Sequence, residues 1–457
     1  MEIKSKLTPH QQEVFEKITS KIKKNLSSRI SNILLSDRFL SLTGAAGTGK
    51  SYMTSAIVNE INCFLKVSQH GIQITAPTHK AVKVLKQMLS YSYDIGIECS
   101  TIHSFLNLKQ SYNYEIGAER FVVDRTKEKI NRASLLLVDE SSMVSSEIFG
   151  FILEILKKNY VNTVLFIGDS FQLLPIDQKS NEVFRLRNQF KLKEIVRQAK
   201  DSGIIKLATK IRTKIATKDY GDIREIFDEI QDYEDIEFFE SKRLFLEDFC
   251  KNENWHEEDK ILASFTNNEV DSFNNILRRK FWKERGNDNP KYLIPKDIIK
   301  FKKPSFDMFS GYPRVLFQNG EEVTISKANL IFDKELELYY WDCLAVGRSP
   351  LSSFRVIDLY SMEKFNDILN EYACFARTSN YPYNFEWWHK YFKLRDTFSD
   401  IQYVFASTIH KLQGSTYETA YIDLSSLIDN RNISKDLLFR LVYVAITRAK
   451  KCVKILC

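Results

Sequence analysis

Residues 44–51 read Gly44-Ala45-Ala46-Gly47-Thr48-Gly49-Lys50-Ser51, and they follow the apolar run Phe39-Leu40-Ser41-Leu42-Thr43. The spacing is a glycine, four residues, a second glycine, a lysine and a hydroxyl residue. The run before it predicts a strand, and Ser51 to Asn59 predicts a helix with apolar positions on one face, which is the context a phosphate loop requires. Glycines let the backbone curl so that its N–H groups face a phosphate, Lys50 adds a charge near the β and γ oxygens, and Ser51 offers a hydroxyl to Mg²⁺. The chain therefore reads as a nucleoside triphosphate binder, with Gly44, Ala45, Gly47, Thr48, Gly49, Lys50 and Ser51 as the cradle.

Outward from this loop, short apolar runs alternate with helical stretches: Phe39 to Thr43, Ile72 to Ala76, Ser134 to Val138 and Val164 to Ile167. Strands separated by crossovers predict a mainly parallel sheet covered by helices, with functional residues at the carboxyl ends of its strands. The polar, aromatic-dotted segment 107–130 interrupts that rhythm as a small excursion inside a first α/β domain at 1–180. A second alternating region contains Ile261 to Phe265, Tyr403 to Phe405, Thr419 to Ile422 and Val453 to Leu456. It predicts a second parallel-sheet domain from 181–290 and 396–457, interrupted by an insertion at 291–395 whose strand and turn signals suit a small β-barrel-like unit.

The strand Ser134 to Val138 runs into Asp139-Glu140, two carboxylates just beyond a buried run. Asp139 is placed to complete a magnesium shell with Ser51, and Glu140 to orient the attacking water. Capping of the next helix is the structural alternative for the pair. Val164 to Ile167 leads to Gly168-Asp169-Ser170-Phe171-Gln172, where Gln172 is placed to meet a γ-phosphate or its attacking water.

Composition bounds the class. The 457 residues suffice for several domains, and 66 Lys+Arg against 59 Asp+Glu leave a net charge of +7, a mild preference for polyanions. Seven scattered cysteines without paired spacing argue against a disulfide framework or a zinc site and point to a reducing, cytoplasmic setting. No stretch has the length and apolarity of a membrane span, so no membrane partner is expected.

Further short segments complete an ordered set: Leu7-Thr-Pro-His-Gln11, Ala76-Pro-Thr-His-Lys80, Ser100-Thr-Ile-His-Ser104, Glu194-Ile-Val-Arg197-Gln198, Phe265-Thr-Asn267, Ser407-Thr-Ile-His-Lys-Leu-Gln-Gly414 and Tyr443-Val-Ala-Ile-Thr-Arg448. In this order they resemble the superfamily 1 helicases, in the branch of the RecD-like, Pif1-like and Dda-like enzymes, over nearly the whole chain from Leu7 to Leu456. The resemblance implies two RecA-like domains in tandem, 1A at 1–180 and 2A at 181–290 with 396–457. It also implies a small 1B wedge at 107–130 and a partly SH3-like 2B insertion at 291–395. It makes Gln11 the expected adenine contact and Gly414 a nucleotide-side glycine. Arg197 and Arg448 become cations that close on the γ-phosphate from outside the phosphate-loop domain, and Asn267 a strand contact. ATP and Mg²⁺ are the implied cofactors, and movement from 5′ to 3′ the implied polarity.

The residues themselves supply phosphate-gripping chemistry in both halves. Thr78, His79 and Lys80 follow one strand, Thr101, His103 and Ser104 begin another loop, and Thr408, His410 and Lys411 form a similar set near the C-terminus. Hydroxyls and imidazoles can bond phosphate oxygens, and lysines add salt-sensitive contacts. Helix capping by the threonines and neutral packing of the histidines are the structural alternatives. Phe121, in an alternating stretch of the excursion, is placed to stack on the end of a duplex or to anchor its hairpin. Trp387 and Trp388 either brace the insertion or touch the strand, and Arg278-Arg279-Lys280 reads as solvated basic surface. Single-stranded DNA and forked duplex DNA are the expected partners of a monomer, with room for a single-strand-binding or replisome protein. RNA remodelling and a nucleotide-controlled clamp or protein-displacing motor remain open on these residues.

Overall fold

Parallel strands covered on both faces are buried along their length, and the phosphate-loop strand Phe39–Gly44 is buried from Phe39 to Thr43, with Phe39, Leu40 and Leu42 supplying its apolar contacts. Its side chains alternate between two cores. Leu40 and Leu42 join Val14, Ile18, Met53 and Ile57 on one face, whereas Phe39 stacks on Phe149 and Phe166 on the other. The strand Ala133–Val138 divides likewise, with Leu135 and Leu137 on the first side and Leu136 and Val138 on the second.

The computed structural model describes residues 7–65, 70–89, 97–124, 126, 131–175, 178, 180, 181–196, 202–307, 314–346 and 351–457. The chain divides into two units by its contacts: Met1–Lys109 with Val123–Lys251 and Ile409–Cys457, and Gln110–Val122 with Asn252–Thr408.

In the first unit, six strands lie in the order Ile97–Thr101, Ile72–Ala76, Ala133–Val138, Val161–Gly168, Phe39–Gly44 and Asn188–Leu192, and each neighbouring pair runs parallel. The helix Pro9–Ser27 starts at a reciprocal cap in which the Thr8 hydroxyl accepts from the Gln11 N–H and the Gln11 side chain accepts from the Thr8 N–H. Its face Val14, Phe15, Ile18, Ile22 and Leu26 is buried. The same unit holds a second parallel group, Ile236–Phe239, Ala449–Leu456 and Tyr417–Asp423, with the helices Gly203–Thr217 and Lys435–Ile446.

In the second unit, Lys260–Ser264 pairs parallel with Ala406–Thr408, and the helix Asn267–Lys283 opens on a Thr266/Glu269 capping box. A five-stranded antiparallel sheet runs Ser352–Ile357, Leu338–Val346, Glu322–Asp333, Ile298–Phe301 and Ile401–Tyr403. Its core is aromatic, with Phe301 and Phe317 stacked at 4.6 Å and Phe354 edge-on to both. Arg278 is not the solvated charge its basic neighbours suggest. Its guanidinium is buried and holds Asp297 through two bonds of 2.8 and 2.7 Å, while the Trp282 indole N–H donates to the same carboxylate at 2.8 Å. A paired, fully bonded buried charge of this kind costs stability chiefly when one partner is removed.

Residues 110–122 form the outer part of a hairpin whose strands are Leu108–Asn113 and Ala118–Val123. It sits on the helix Tyr383–Thr397. Tyr112 stacks on Phe392 at 4.2 Å and donates its hydroxyl to Asp396, and Arg395 bridges Glu119 and Asp396. Gly117, at φ +66°, brings its backbone so close to Trp388 that a Cβ would stand 2.2 Å from the indole. Trp388 is thus packing, and Trp387 lies against Phe375 at 4.9 Å with Lys390 over its ring.

Candidate nucleotide and nucleic-acid sites

The phosphate loop leaves its strand through a backbone that needs glycine. Gly47 and Gly49 both stand at φ +81°, and a Cβ on Gly44 would meet Thr48 Oγ1 at 2.5 Å. The helix Lys50–Phe64 begins at once, so Lys50 and Ser51 occupy the first turn, where free N–H groups favour an anion. Lys50 Nζ donates to the Gly44 and Ala45 carbonyls at 2.8 and 2.9 Å, so its charge already lies over the loop; Ser51 is exposed. Gln11 is buried and donates to the Thr48 carbonyl at 3.0 Å. Its amide is thus engaged at both ends, by the helix cap and by the loop.

Asp139 and Glu140 end the strand Ala133–Val138. Burial and the neighbouring Glu140 carboxylate push the Asp139 carboxyl up to about 7, against the pull of Lys50. Glu140 stands at φ +48°, a conformation uncommon for a residue with a side chain and one that clusters at functional sites. Gly414 lies beside this side chain, where a Cβ would make an ordinary contact with Glu140 Cγ at 3.7 Å, and its φ of +74° is what favours glycine there. Arg448 is buried, and Glu140 is the foremost charge acting on it. Its Nε donates to the Val444 carbonyl at 2.9 Å and its Nη1 to the Ser415 carbonyl at 3.0 Å, while burial lowers its basicity. Gln172 is buried as well, and its Oε1 has no hydrogen-bond partner among the described residues.

The unit therefore gathers Lys50, Asp139, Glu140, Gly414 and Arg448 around one loop. Arg197 and its neighbour Gln198 lie outside the described residues.

The sequence reading passed over several residues here. Sequence spacing alone assigns no role to Tyr443 or Asp169, and Arg440 and Arg212 lie in no motif. Tyr443 is buried and donates its hydroxyl to Asp169 Oδ2 at 2.7 Å. Arg440 Nη1 donates to the carbonyls of Ser170 and Gln172 at 2.8 and 2.9 Å. Arg212 lines a small cavity with Ala45, Ala46, Tyr443 and Thr447.

The expected strand contacts fall into distinct environments. The Thr78 and Thr101 hydroxyls accept from the N–H groups of Ala81 and Ser104, both at 3.2 Å, which is the capping role. Burial, with His79 nearby, lowers the basicity of His103, and burial lowers that of His410. Both imidazoles are thereby biased toward the neutral form, suited to hydrogen bonding rather than charge pairing. Lys80 is exposed and donates to the Tyr417 hydroxyl at 2.8 Å, and Ser104 and Lys411 are exposed too. In the second unit Thr408 is buried at a strand end, Asn267 is exposed at the start of its helix, and Phe121 is 38% exposed on the hairpin. Among the described residues no helix is long and apolar enough to cross a membrane, and all seven cysteines are free thiols.

A family profile described as an AAA domain matches residues 27–239, and one described as a UvrD-like helicase C-terminal domain matches 403–456. The chain is 26% identical over 448 residues to the ATP-dependent DNA helicase dda of Enterobacteria phage T4, covering 90% of this chain and 92% of that protein. It is 26% identical over 433 residues to the ATP-dependent DNA helicase Pif1 of Campylobacter jejuni, covering 89% and 86%. A solved Pif1 helicase structure overlays with a TM-score of 0.49 at 16% identity, covering 98% of this chain and 92% of that one. Two profiles in the expected order, and relatives aligned over about nine tenths of this chain, agree with a phosphate-loop sheet and a second parallel group whose strand Ala449–Leu456 follows Arg448. The chain has the superfamily 1 helicase architecture of the Pif1- and Dda-like kind, with tandem RecA-like α/β phosphate-loop domains.

Proposed function

We propose that this chain is an ATP-dependent DNA helicase that moves from 5′ to 3′ along single-stranded DNA and opens the duplex ahead of it. The observation that carries this reading is the convergence of Lys50, Asp139, Glu140 and Arg448 in one unit, with Gly414 of the C-terminal segment lying beside the Glu140 side chain. A bound triphosphate would bridge the two segments, so its hydrolysis would change their spacing.

The residues fit ATP with Mg²⁺. An exposed serine hydroxyl in a helix first turn and a strand-end carboxylate are hard oxygen donors, and Mg²⁺ takes one or two such ligands beside phosphates and water. Bound there, Mg²⁺ would neutralise phosphate charge. The protein's own part is to hold the phosphates with loop N–H groups and Lys50, to orient water with Glu140 and Gln172, and to bring positive charge through Arg448 and Arg197. Gln11 would fix the loop and meet the adenine.

Thr78, His79, Lys80, Thr101, His103 and Ser104 would grip the strand on one side. Asn267, Thr408, His410 and Lys411 would grip it on the other. Phe121 would meet the fork, with the antiparallel sheet of the insertion forming an SH3-like unit. The domains run 1–180 with its excursion at 107–130, then 181–290 with 396–457, and the insertion at 291–395. The test is stimulation of ATP turnover by matched DNA and RNA single strands: stimulation by DNA supports the reading, and stimulation confined to RNA rejects it.

A further inference from the structure

The helix Lys435–Ile446 reaches the loop after strand Val161–Gly168 with two side chains, Arg440 and Tyr443, which are three residues apart and so share a face. Arg440 holds that loop by its Ser170 and Gln172 carbonyls. Tyr443 does more than hold it. Its hydroxyl donates to Asp169 Oδ2 at 2.7 Å and accepts from the Ala46 N–H at 3.2 Å, while its ring meets Phe171 edge-on. Ala46 lies within the phosphate loop, and Gln172 lies three residues beyond Asp169. One buried phenol therefore joins the nucleotide cradle to the loop that carries the unpartnered Gln172 carboxamide oxygen.

Asp169 and Tyr443 are both buried, and the carboxylate's other oxygen already accepts from the Phe171 N–H at 3.0 Å. Each polar atom of the bridge thus has a partner, and removing the hydroxyl strands two of them. We propose that Tyr443 is a positioning residue for ATP hydrolysis: through its bridge between Ala46 and Asp169 it sets Gln172 relative to the phosphate loop. This rests on the reading of the chain as an ATP-driven motor. A positioning group of this kind acts on turnover rather than on nucleotide grip, since the loop N–H groups and Lys50 remain in place.

The test uses the full chain. Tyr443→Phe keeps the ring and removes the bridge, and Asp169→Ala removes the acceptor at its other end. In DNA-stimulated ATPase assays each variant should lower kcat about tenfold or more with KM for ATP within about twofold, and the double variant should lose no more than the worse single one. Thermal melting identifies any variant that fails to fold, in which case the other decides. Unchanged kcat in a folded variant, a loss confined to KM, or multiplicative losses in the double variant would each overturn the inference. A wild-type chain with no ATPase at all would instead reject the motor reading, so the two failures are distinguishable.

Discussion

At the residue scale the two adjacent carboxylates stand in different environments. Glu140 stands in a left-handed backbone conformation beside Gly414, so its place is set by the chain rather than by rotamer choice. Glu140→Gln keeps that shape and removes the carboxylate. Turnover should fall about 10²-fold or more while nucleotide affinity changes little, read by steady-state ATPase and equilibrium nucleotide binding. Asp139 carries a proton up to about pH 7, because burial and Glu140 disfavour its charge. Metal binding requires that proton to leave, so apparent affinity for Mg²⁺ with ATP should rise from pH 6 toward pH 8 and level off, and Asp139→Asn should abolish the slope. The same shift has a sign for folding. With its folded value above the ordinary 3.8, this group's contribution to stability is full below that pH and is lost as pH rises through about 7 in the nucleotide-free protein.

At the element scale, the parts written in contiguous sequence were legible and the parts made by distant partners were not. The phosphate loop, its strand and its helix follow from glycine spacing and apolar runs. The cap of Pro9–Ser27 by Thr8 and Gln11 is just as local, although Gln11 is read from the sequence only as an adenine contact. Arg278 looked like surface charge because its partner Asp297 is 19 residues away, and Tyr443 was mute because Asp169 is 274 residues away. The hairpin's seat on Tyr383–Thr397 was hidden for the same reason, although Gly117 and Trp388 were both in view. That seat carries a prediction. Stacking of Tyr112 on Phe392 and the Arg395 bridge to Glu119 hold the hairpin to its own unit, so Arg395→Ala should loosen it. If Phe121 works at the fork, Phe121→Ala and Arg395→Ala should both lower unwinding several-fold while translocation and DNA-stimulated ATPase largely survive. Equal losses in all three assays would make the hairpin a structural brace only. On the short helix Ile409–Leu412, His410→Ala with Lys411→Ala should weaken single-strand affinity about tenfold and reduce the salt slope of binding.

At the scale of the whole molecule, the account depends on hydrolysis in the first unit being spent on directed movement along DNA. Raw spacing fixes no polarity, whereas the resemblance to the superfamily 1 helicases implies one, from 5′ to 3′. Forked DNA substrates with a single loading tail, either 5′ or 3′, test this most directly when strand separation is followed with ATP and Mg²⁺ present. Efficient opening from the 5′ tail, abolished by Lys50→Ala, is the expected result. Efficient opening from the 3′ tail alone would contradict the account.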